Sequence, residues 1–508
     1  MKDMKRCNKQ VRLLVLGLLA LAILMTGCGS KKEAGSEQQA IQKVDDLAGK
    51  KIGVQLGTTG DIYASDYEEE GSTVERFNKA ADAVQALKLG KIDCIILDEN
   101  PAKKFVETSG DLQILEEEFA VEEYAICISK KNTELKEKIN GAIAQIKEDG
   151  TLDQIVKNYI GDETRGKFKY EPDKDLKRAN GTLTMATNAA FEPYEFMQNG
   201  DITGIDVDMA WAVCDILDME LKIENIEFDA IINAVQSGKA DVGIAGMTVT
   251  EDRLKSIDFT QSYTTATQVI ILRAESTSPA ASFLEKLNNN FVKENRWKYI
   301  TQGLRTTLCI SFFAVLIGIV LGFLIAILRS TCDKTGKAKL LNWILRAYLT
   351  VIRGTPAMIQ LLIIYYVIFA SSDINKVVVA VIAFGVNSSA YIAEIVRSGI
   401  NSIDEGQLEA GRSLGFTYAQ SMWYFILPQA FKNVLPPLAN EFIVLIKETS
   451  ISGYIGIVDL TRGGDYIRSR TYEAFLPLIA VALVYLIIVM ILTWLVGRME
   501  RRLKRNER

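Results

Sequence analysis

The side chains that could do chemistry in this sequence do not include the commonest one. There is no histidine among its 508 residues, which excludes His metal sites, Ser-His-Asp triads and histidine general bases. The cysteines form no C-x-x-C pair, so zinc and dithiol readings fall away too. Cys94, Cys127 and Cys214 sit in apolar patterns and read as small core residues. No G-x-x-x-x-G-K-[ST] phosphate loop occurs, so that mode of nucleotide binding is excluded. Charged and hydroxyl groups also follow several strand-like runs, among them Asp98 in IILDEN, Thr248 and Arg253 in GMTVTEDR, and Thr58 and Thr59 in QLGTTG. Taken singly, Arg253 reads as a surface salt-bridge partner and Asp98 as a strand-end cap. A zwitterionic ligand would need a cation for its carboxylate and an anion for its ammonium.

Two classes of element must hold these groups. Residues 51–118 read strand, helix, strand in KKIGVQLG, DAVQALKLG and IDCIILD. Residues 181–271 repeat the grammar, with LTMATNAA as a strand and GIDVDMAWAVCDIL as a helix that aligns Val207, Ala210, Val213 and Leu217. FDAIINAVQSGKADVGIAGM follows as helix, turn and strand. Such βαβ units predict α/β lobes with ligand sites at the strand C-terminal ends. The acidic run Glu116–Glu123 reads as a solvated face on the approach to a hinge.

From Thr307 onward the chain changes character. Thr307–Leu328 is uncharged and long enough to cross ~30 Å of hydrocarbon at ~1.5 Å per residue. Gly354–Ser372, Val377–Ala393, Asn433–Ile446 and Ala474–Gly497 complete five expected spans. The middle ones carry Pro and Glu and read as broken or shielded helices. Gly318 and Gly322 have the spacing of a close helix contact, and Glu441 that of a polar pathway or interhelical hydrogen bond. Arg329, Lys334, Lys337, Lys339 and Arg346 follow the first span, and a basic tail follows the last, so both regions are expected on the cytoplasmic side. The soluble half is then outside. Lys2, Lys5 and Arg6 before the apolar run Leu13–Leu24 predict a secretion signal. A net charge of −5, with no basic stripe, predicts no nucleic-acid partner.

The loop AYIAEIVRSGINSIDEGQLEAGRSLGFTYAQSMWYFILPQA, Ala390–Ala430, resembles the cytoplasmic coupling loop of ABC importer permeases. The matching positions are Glu409, Ala410, Gly411, Gly415, Leu427 and Pro428, with Gly411 in place of the usual alanine. VIRGTP at Val351–Pro356 resembles the polar amino-acid branch of that family. Met25-Thr26-Gly27-Cys28 resembles a lipoprotein cleavage site, which makes Cys28 a lipidation candidate. The soluble half resembles polar amino-acid-binding proteins, but with its halves in reversed order. That resemblance assigns Arg253 and Thr248 to the ligand carboxylate, helped by the backbone at Thr58 and Thr59. It assigns Asp98 and the Gly246 carbonyl to the ammonium, and Phe191 and Phe228 to the flanks of the side chain. Asn188 stands where many relatives have aspartate; with Gln55 and Leu97 it favours an uncharged polar side chain, glutamine-like.

The expected fold is thus multidomain: an α/β bilobed periplasmic-type binding domain followed by an all-α five-span transmembrane permease domain. The boundaries read as a lipoprotein-type signal over 1–28, a tether over 29–43, lobe two with C-terminal helices over 44–160, and a linker over 161–180. Lobe one follows over 181–273, a linker over 274–300, the permease over 301–497 and the basic tail over 498–508. One crossing between lobes, near Tyr124–Lys130, is expected to stay covalent and the other to be cut, so that each lobe has its own tether. No cofactor or metal is expected. The expected partners are a polar amino acid, an ABC ATPase subunit, the membrane and a second copy of the permease. The rival readings are a ligand-gated channel or sensor, and two truncated half-modules that cannot close on a ligand.

Overall fold

The computed structural model describes residues 41–505 except 162, 275–282, 337, 371, 373 and 472. Cys28, the expected signal and most of the expected tether lie outside the described residues, as does part of the linker expected over 274–300.

Apolar runs bounded by turn residues form the first strands. β1 (Lys51–Gln55), β2 (Thr73–Phe77) and β3 (Cys94–Asp98) are parallel, with α1 (Thr59–Asp66) and α2 (Ala80–Lys88) between them. β3 is buried along its whole length, as a strand covered on both faces must be. α3 (Glu99–Ser109) and β4 (Leu112–Ile114) complete this lobe. β5 (Ala120–Ile128) then leaves it for α4 (Thr133–Glu148) and α5 (Thr151–Tyr159). The second segment supplies β6 (Thr182–Thr187), the small sheet of β7 (Ala190–Phe191), β8 (Glu195–Gln198) and β9 (Asp201–Thr203), then α6 (Ile205–Leu217) and β10 (Glu220–Asn225). α7 (Ile231–Gln236), β11 (Val242–Gly243), α8 (Glu251–Ser256) and the long β12 (Asp258–Arg273) follow. The main sheet runs β10-β6-β11-β5-β12-β3-β1-β2, with β4 on β12.

β5 and β12 are antiparallel neighbours from Asp258↔Ile128 to Gln268↔Ala120, with register shifts between Phe259 and Thr264. Both belong to both lobes. Phe259 and Tyr263 pack in lobe one, whereas Val269 and Ile271 lie in the core of lobe two with Leu87, Ile95 and Leu97. This corrects the expectation of a severed crossing, since both crossings are continuous. The chain ends of the lobe pair also both sit on lobe two, where Val44 N donates to Glu117 (2.7 Å) and Ala274 N to the Asp111 carbonyl (2.9 Å). Lobe one therefore has no covalent tether of its own. The bridge over 161–180 is strapped to α6, with Tyr170 donating to Asp215 at 2.6 Å and Arg178 pairing with Asp215 at 2.5 Å.

After α9 (Phe283–Leu287) comes α10 (Trp297–Thr335), then α11 (Lys339–Gly354) and α12 (Ala357–Ile363), which meet in a broken pair bent by 109°. The break at Gly354-Thr355-Pro356 follows from the lost N–H and the fixed φ of proline; it lies at the start of the span expected over 354–372, within which α12 continues as a wider turn over Ile364–Ile368. α13 (Lys376–Asn401), α14 (Glu405–Ser413), α15 (Tyr418–Ser421), α16 (Leu427–Glu448), α17 (Leu460–Thr471) and α18 (Phe475–Arg505) follow. Among the described residues, α10, α13 and α18 are long and apolar enough to cross a membrane by themselves, and the bent pair adds up to one more span. α16 holds the expected segment 433–446 but carries Pro436, Pro437 and Glu441. Gly322 seats α10 on α13, where a Cβ would come within 2.6 Å of Ile392, and Ser388 donates to Glu441 across α13 and α16.

Gly204 has φ +136°, and a Cβ there would lie 2.0 Å from the Tyr194 carbonyl. Gly204→Ala should destabilise lobe one by about 3 kcal/mol. It should lower the thermal unfolding midpoint of the solubilised chain by several degrees; an unchanged midpoint would contradict this packing.

Candidate functional site

The cleft between the lobes is built from strand ends and the turns beyond them. At the end of β1, Gly57 turns with φ +78°, and Thr58 Oγ1 donates back to the Gln55 carbonyl at 2.7 Å. On the lobe-one side, Gly246 takes φ +52°, and its N–H donates to Asp206 at 2.8 Å. A Cβ at Gly246 would come within 2.9 Å of the Phe191 ring, so this turn needs glycine for shape as well as for φ. Thr250 caps α8 by accepting from Arg253 N, which fixes the helix that carries Arg253.

All nine ligand-site residues read from the sequence line one cavity: Thr58, Thr59, Asp98, Asn188, Phe191, Phe228, Gly246, Thr248 and Arg253. The space between these residues, counted with the solvent at its mouth, is about 330 Å³. The Arg253 guanidinium is 7% exposed and spans the lobes, donating to the Thr248 carbonyl at 2.7 Å and the Gly57 carbonyl at 2.9 Å. Its carbon lies 5.7 Å from the centre of the Phe228 ring, within cation–π range. Burial lowers its pKa below the ordinary arginine value. Asp98 accepts from the Tyr124 hydroxyl. Burial raises the Asp98 carboxyl to about 7, a shift the Tyr124 hydrogen bond opposes and the Glu122 charge reinforces. Cation and anion thus sit in one desolvated cleft, where charge recognition is strong.

Three details differ from the sequence reading. Glu122 is not on a solvated face: it is 4% exposed and accepts from both Thr59 Oγ1 (2.9 Å) and Thr248 Oγ1 (2.7 Å). The period of two in β5 explains this, since Val121 and Glu123 point out while Glu122 and Tyr124 point in. The Asn188 amide donates to the Ile226 carbonyl at 2.7 Å, so its N–H group is engaged by backbone. Glu195 was missed altogether. It is fully buried in the cavity wall beside Asp206, and burial, then the neighbouring Asp206 charge, push its pKa well above the usual carboxylate range. Its position, three residues after Glu192 in FEPYEF, gave no sign that one acid faces the cleft and the other leaves it.

The loop after α13 is organised as a short exposed helix with defined ends. Asp404 caps α14 by accepting from Gly406 N (2.7 Å), and Gly415 ends the turn with φ +88°. Glu409 and Ala410 are exposed on α14. Gly411 faces inward, where a Cβ would lie 2.9 Å from Ser421 Oγ; close packing on α15 accounts for the glycine. Leu427 and Pro428 begin α16. Just upstream, Glu394 gathers Arg397 (2.5 Å), Arg329 (3.6 Å) and Arg353 (3.9 Å), tying the ends of α10, α11 and α13.

Residues 72–162 and 183–407 match the family described as bacterial extracellular solute-binding proteins, family 3. Residues 318–505 match the binding-protein-dependent transport system inner membrane component. The arginine transport system permease protein ArtQ of Bacillus subtilis (strain 168) is 40% identical over 211 residues, covering 41% of this chain and 94% of that protein. The glutamine transport system permease protein GlnP of Escherichia coli (strain K12) is 38% identical over 208 residues, covering 40% and 93%. A solved structure described as an amino acid ABC transporter with histidines matches 44% of this chain and all of its own at 40% identity, with a TM-score of 0.40. The chain belongs to the amino-acid ABC importer permeases, and carries a family-3 solute-binding domain in the same polypeptide.

Proposed function

We propose that the chain binds a polar amino acid, glutamine-like, in the cleft outside the cell and passes it through its own permease, driven by a separate ATPase. The observation that carries this reading is the convergence of Arg253 and Asp98, from opposite lobes, on one buried cavity. Arg253 spends one N–H of each Nη on a backbone carbonyl and keeps others for a carboxylate. Asp98, steadied by Tyr124, takes the ammonium, and Phe191 and Phe228 flank the side chain. Glu195, held protonated, is a neutral donor for an amide oxygen, which suits glutamine. The same carboxyl would ionise against a guanidinium, so arginine is the second reading, in keeping with the arginine permease among the relatives.

The remainder of the proposal follows the charge pattern. The loop after α10 and the C-terminal end of α18 face the cytoplasm, and residues 1–28 act as a lipoprotein signal ending at Cys28. The pore is a homodimer, since one permease domain supplies half of a two-fold pathway. α14, with Glu409, Ala410, Gly411 and the exposed Leu414, docks in a groove of the ATPase.

Calorimetric titration of the full chain should show saturable binding of L-glutamine or L-arginine, weakened about 100-fold or more by Arg253→Ala. Glu195→Gln separates the two readings: it should spare glutamine within about threefold but weaken arginine about tenfold or more. A folded chain that binds neither would sink the proposal. Because the ammonium selects ionised Asp98, apparent affinity should rise with pH up to about 7 and fall below it, by up to tenfold per unit. Asp98→Asn should flatten that profile, and an unaltered profile would remove Asp98 from the ammonium site. Glu409→Lys combined with Leu414→Asp should cut amino-acid-stimulated ATP hydrolysis more than tenfold and leave ligand binding intact. Undiminished hydrolysis would exclude α14 from coupling.

A further inference from the structure

Helix α17 stands between the lobes and the membrane helices, and its two faces are built differently. One face is small and packs closely. A Cβ at Gly463 would lie 2.4 Å from the Tyr299 carbonyl of α10, one at Gly464 2.5 Å from Val481 of α18, and one at Gly303 of α10 2.3 Å from the Asp459 carbonyl. α17 is therefore fixed to the start of α10 and to α18 with no room to rock.

The other face is charged and touches both lobes. Toward lobe one, Arg462 pairs with Glu227 at 2.8 Å and donates to Asn225, whose amide in turn donates to the Tyr466 hydroxyl at 3.0 Å. Arg470 pairs with Glu192 at 2.5 Å and lies 5.0 Å from the Phe196 ring centre. Further contacts hold lobe one from the start of α13 and the loop before it: Lys376 pairs with Glu224, and Lys239 donates to the carbonyls of Phe369 and Ser372. Toward lobe two the grip is slighter. Lys79 pairs with Asp465 at 2.8 Å and Asp82 with Arg468, both from the N-terminal end of α2.

The two grips differ in what their loss would leave behind. Arg462 is 5% exposed, and parting it from Glu227 would leave buried charges uncompensated. Asp465 and Arg468 already pair with each other at 2.7 Å, so neither is stranded when lobe two withdraws. The seat on lobe one also reaches the cleft directly. Glu192 and Glu227 are the chain neighbours of Phe191 and Phe228, which line it.

We propose that α17 is a latch that reads cleft closure within one chain. Lobe one stays seated on Arg462 and Arg470 throughout the cycle, and lobe two swings about β5 and β12. Lys79 and Asp82 meet Asp465 and Arg468 only when the cleft is shut. Each permease copy is then read by the binding domain of its own chain. Only the ligand arm of the test rests on the amino-acid reading of the cleft.

The test follows distances in the full chain in lipid nanodiscs by pulsed electron resonance, with spin labels at Gln302 on α10 paired with either Lys91 on lobe two or Glu148 on lobe one. Asp82→Arg should widen the Gln302–Lys91 distribution and leave Gln302–Glu148 unchanged. The paired swap of Asp82→Arg with Arg468→Asp should restore the narrow distribution, which guards against misfolding of the single variant. Millimolar L-glutamine or L-arginine should narrow Gln302–Lys91 in the unsubstituted chain. If Asp82→Arg leaves Gln302–Lys91 unmoved, or shifts both pairs together, the latch is overturned. If Asp82→Arg and its rescue behave as expected while neither amino acid has any effect, the latch stands and the amino-acid reading fails.

Discussion

The antiparallel pairing of β5 with β12 is the constraint on which the rest depends. Both strands run through both lobes, so the lobes can rotate about this ribbon but cannot part. Register shifts near Ser262 break the ladder locally, and a strand with such irregularities bends more readily than a regular one. The ribbon also furnishes the cleft. Glu122 and Tyr124 lie on its inward face, and Gln268 of β12 reaches Thr59 and Glu122 at 3.3 Å. The order of the halves leaves the ribbon whole because the chain ends of the lobe pair lie beyond it, on the lobe-two side. Neither crossing is lost, and both chain ends of the lobe pair sit on lobe two.

Buried charge is managed by the same rule on both sides of lobe one. A desolvated ion must be paired or fully hydrogen-bonded. In the cleft Arg253 meets this with carbonyls from both lobes, and Glu122 with hydroxyls from both. Closure therefore brings each of these two groups partners from both lobes, and opening must hand those partners back to water. On the membrane side Arg462 meets the rule with Glu227 and Asn225. The adjacent residues Glu227 and Phe228 are thus held by two arginines, one from the permease and one across the cleft. A segment clamped from both sides cannot move toward one without straining the other.

Much of this was legible in the sequence because two periodicities and one loop carry strong signals. The βαβ grammar of 51–98 and 181–243 gave the lobes, and the uncharged stretch from Thr307 gave the first span. Residue types alone could not give the environment of Glu122, since an acidic run reads as solvated until strand alternation assigns one member inward. The interface was likewise hidden. Arg462, Asp465, Arg468 and Arg470 look like an ordinary polar loop between spans, and their partners Glu192, Glu227 and Asp82 are hundreds of residues away. The bend between α11 and α12 was hidden too, because composition does not register the change in direction at Pro356.

Helix α10 gives these local arrangements a common frame. Its N-terminal end is where Gly303 receives the Asp459 turn, so it is fused to the helix that touches both lobes. Toward its other end Arg329 reaches Glu394, shared with Arg353 and Arg397, a short stretch before α14. Between these ends Gly318 and Gly322 lock the rod against Ser388 and Ile392 of α13. A helix held by close backbone contacts at one end and by ion pairs at the other moves as a body, because tightly packed cores deform little. A displacement at the lobe-facing surface of α17 is then delivered to the loop that carries α14 with little loss along the way. The electrostatic knot at Glu394 is the one part of that connection made of long, half-exposed side chains, and so the part that yields first.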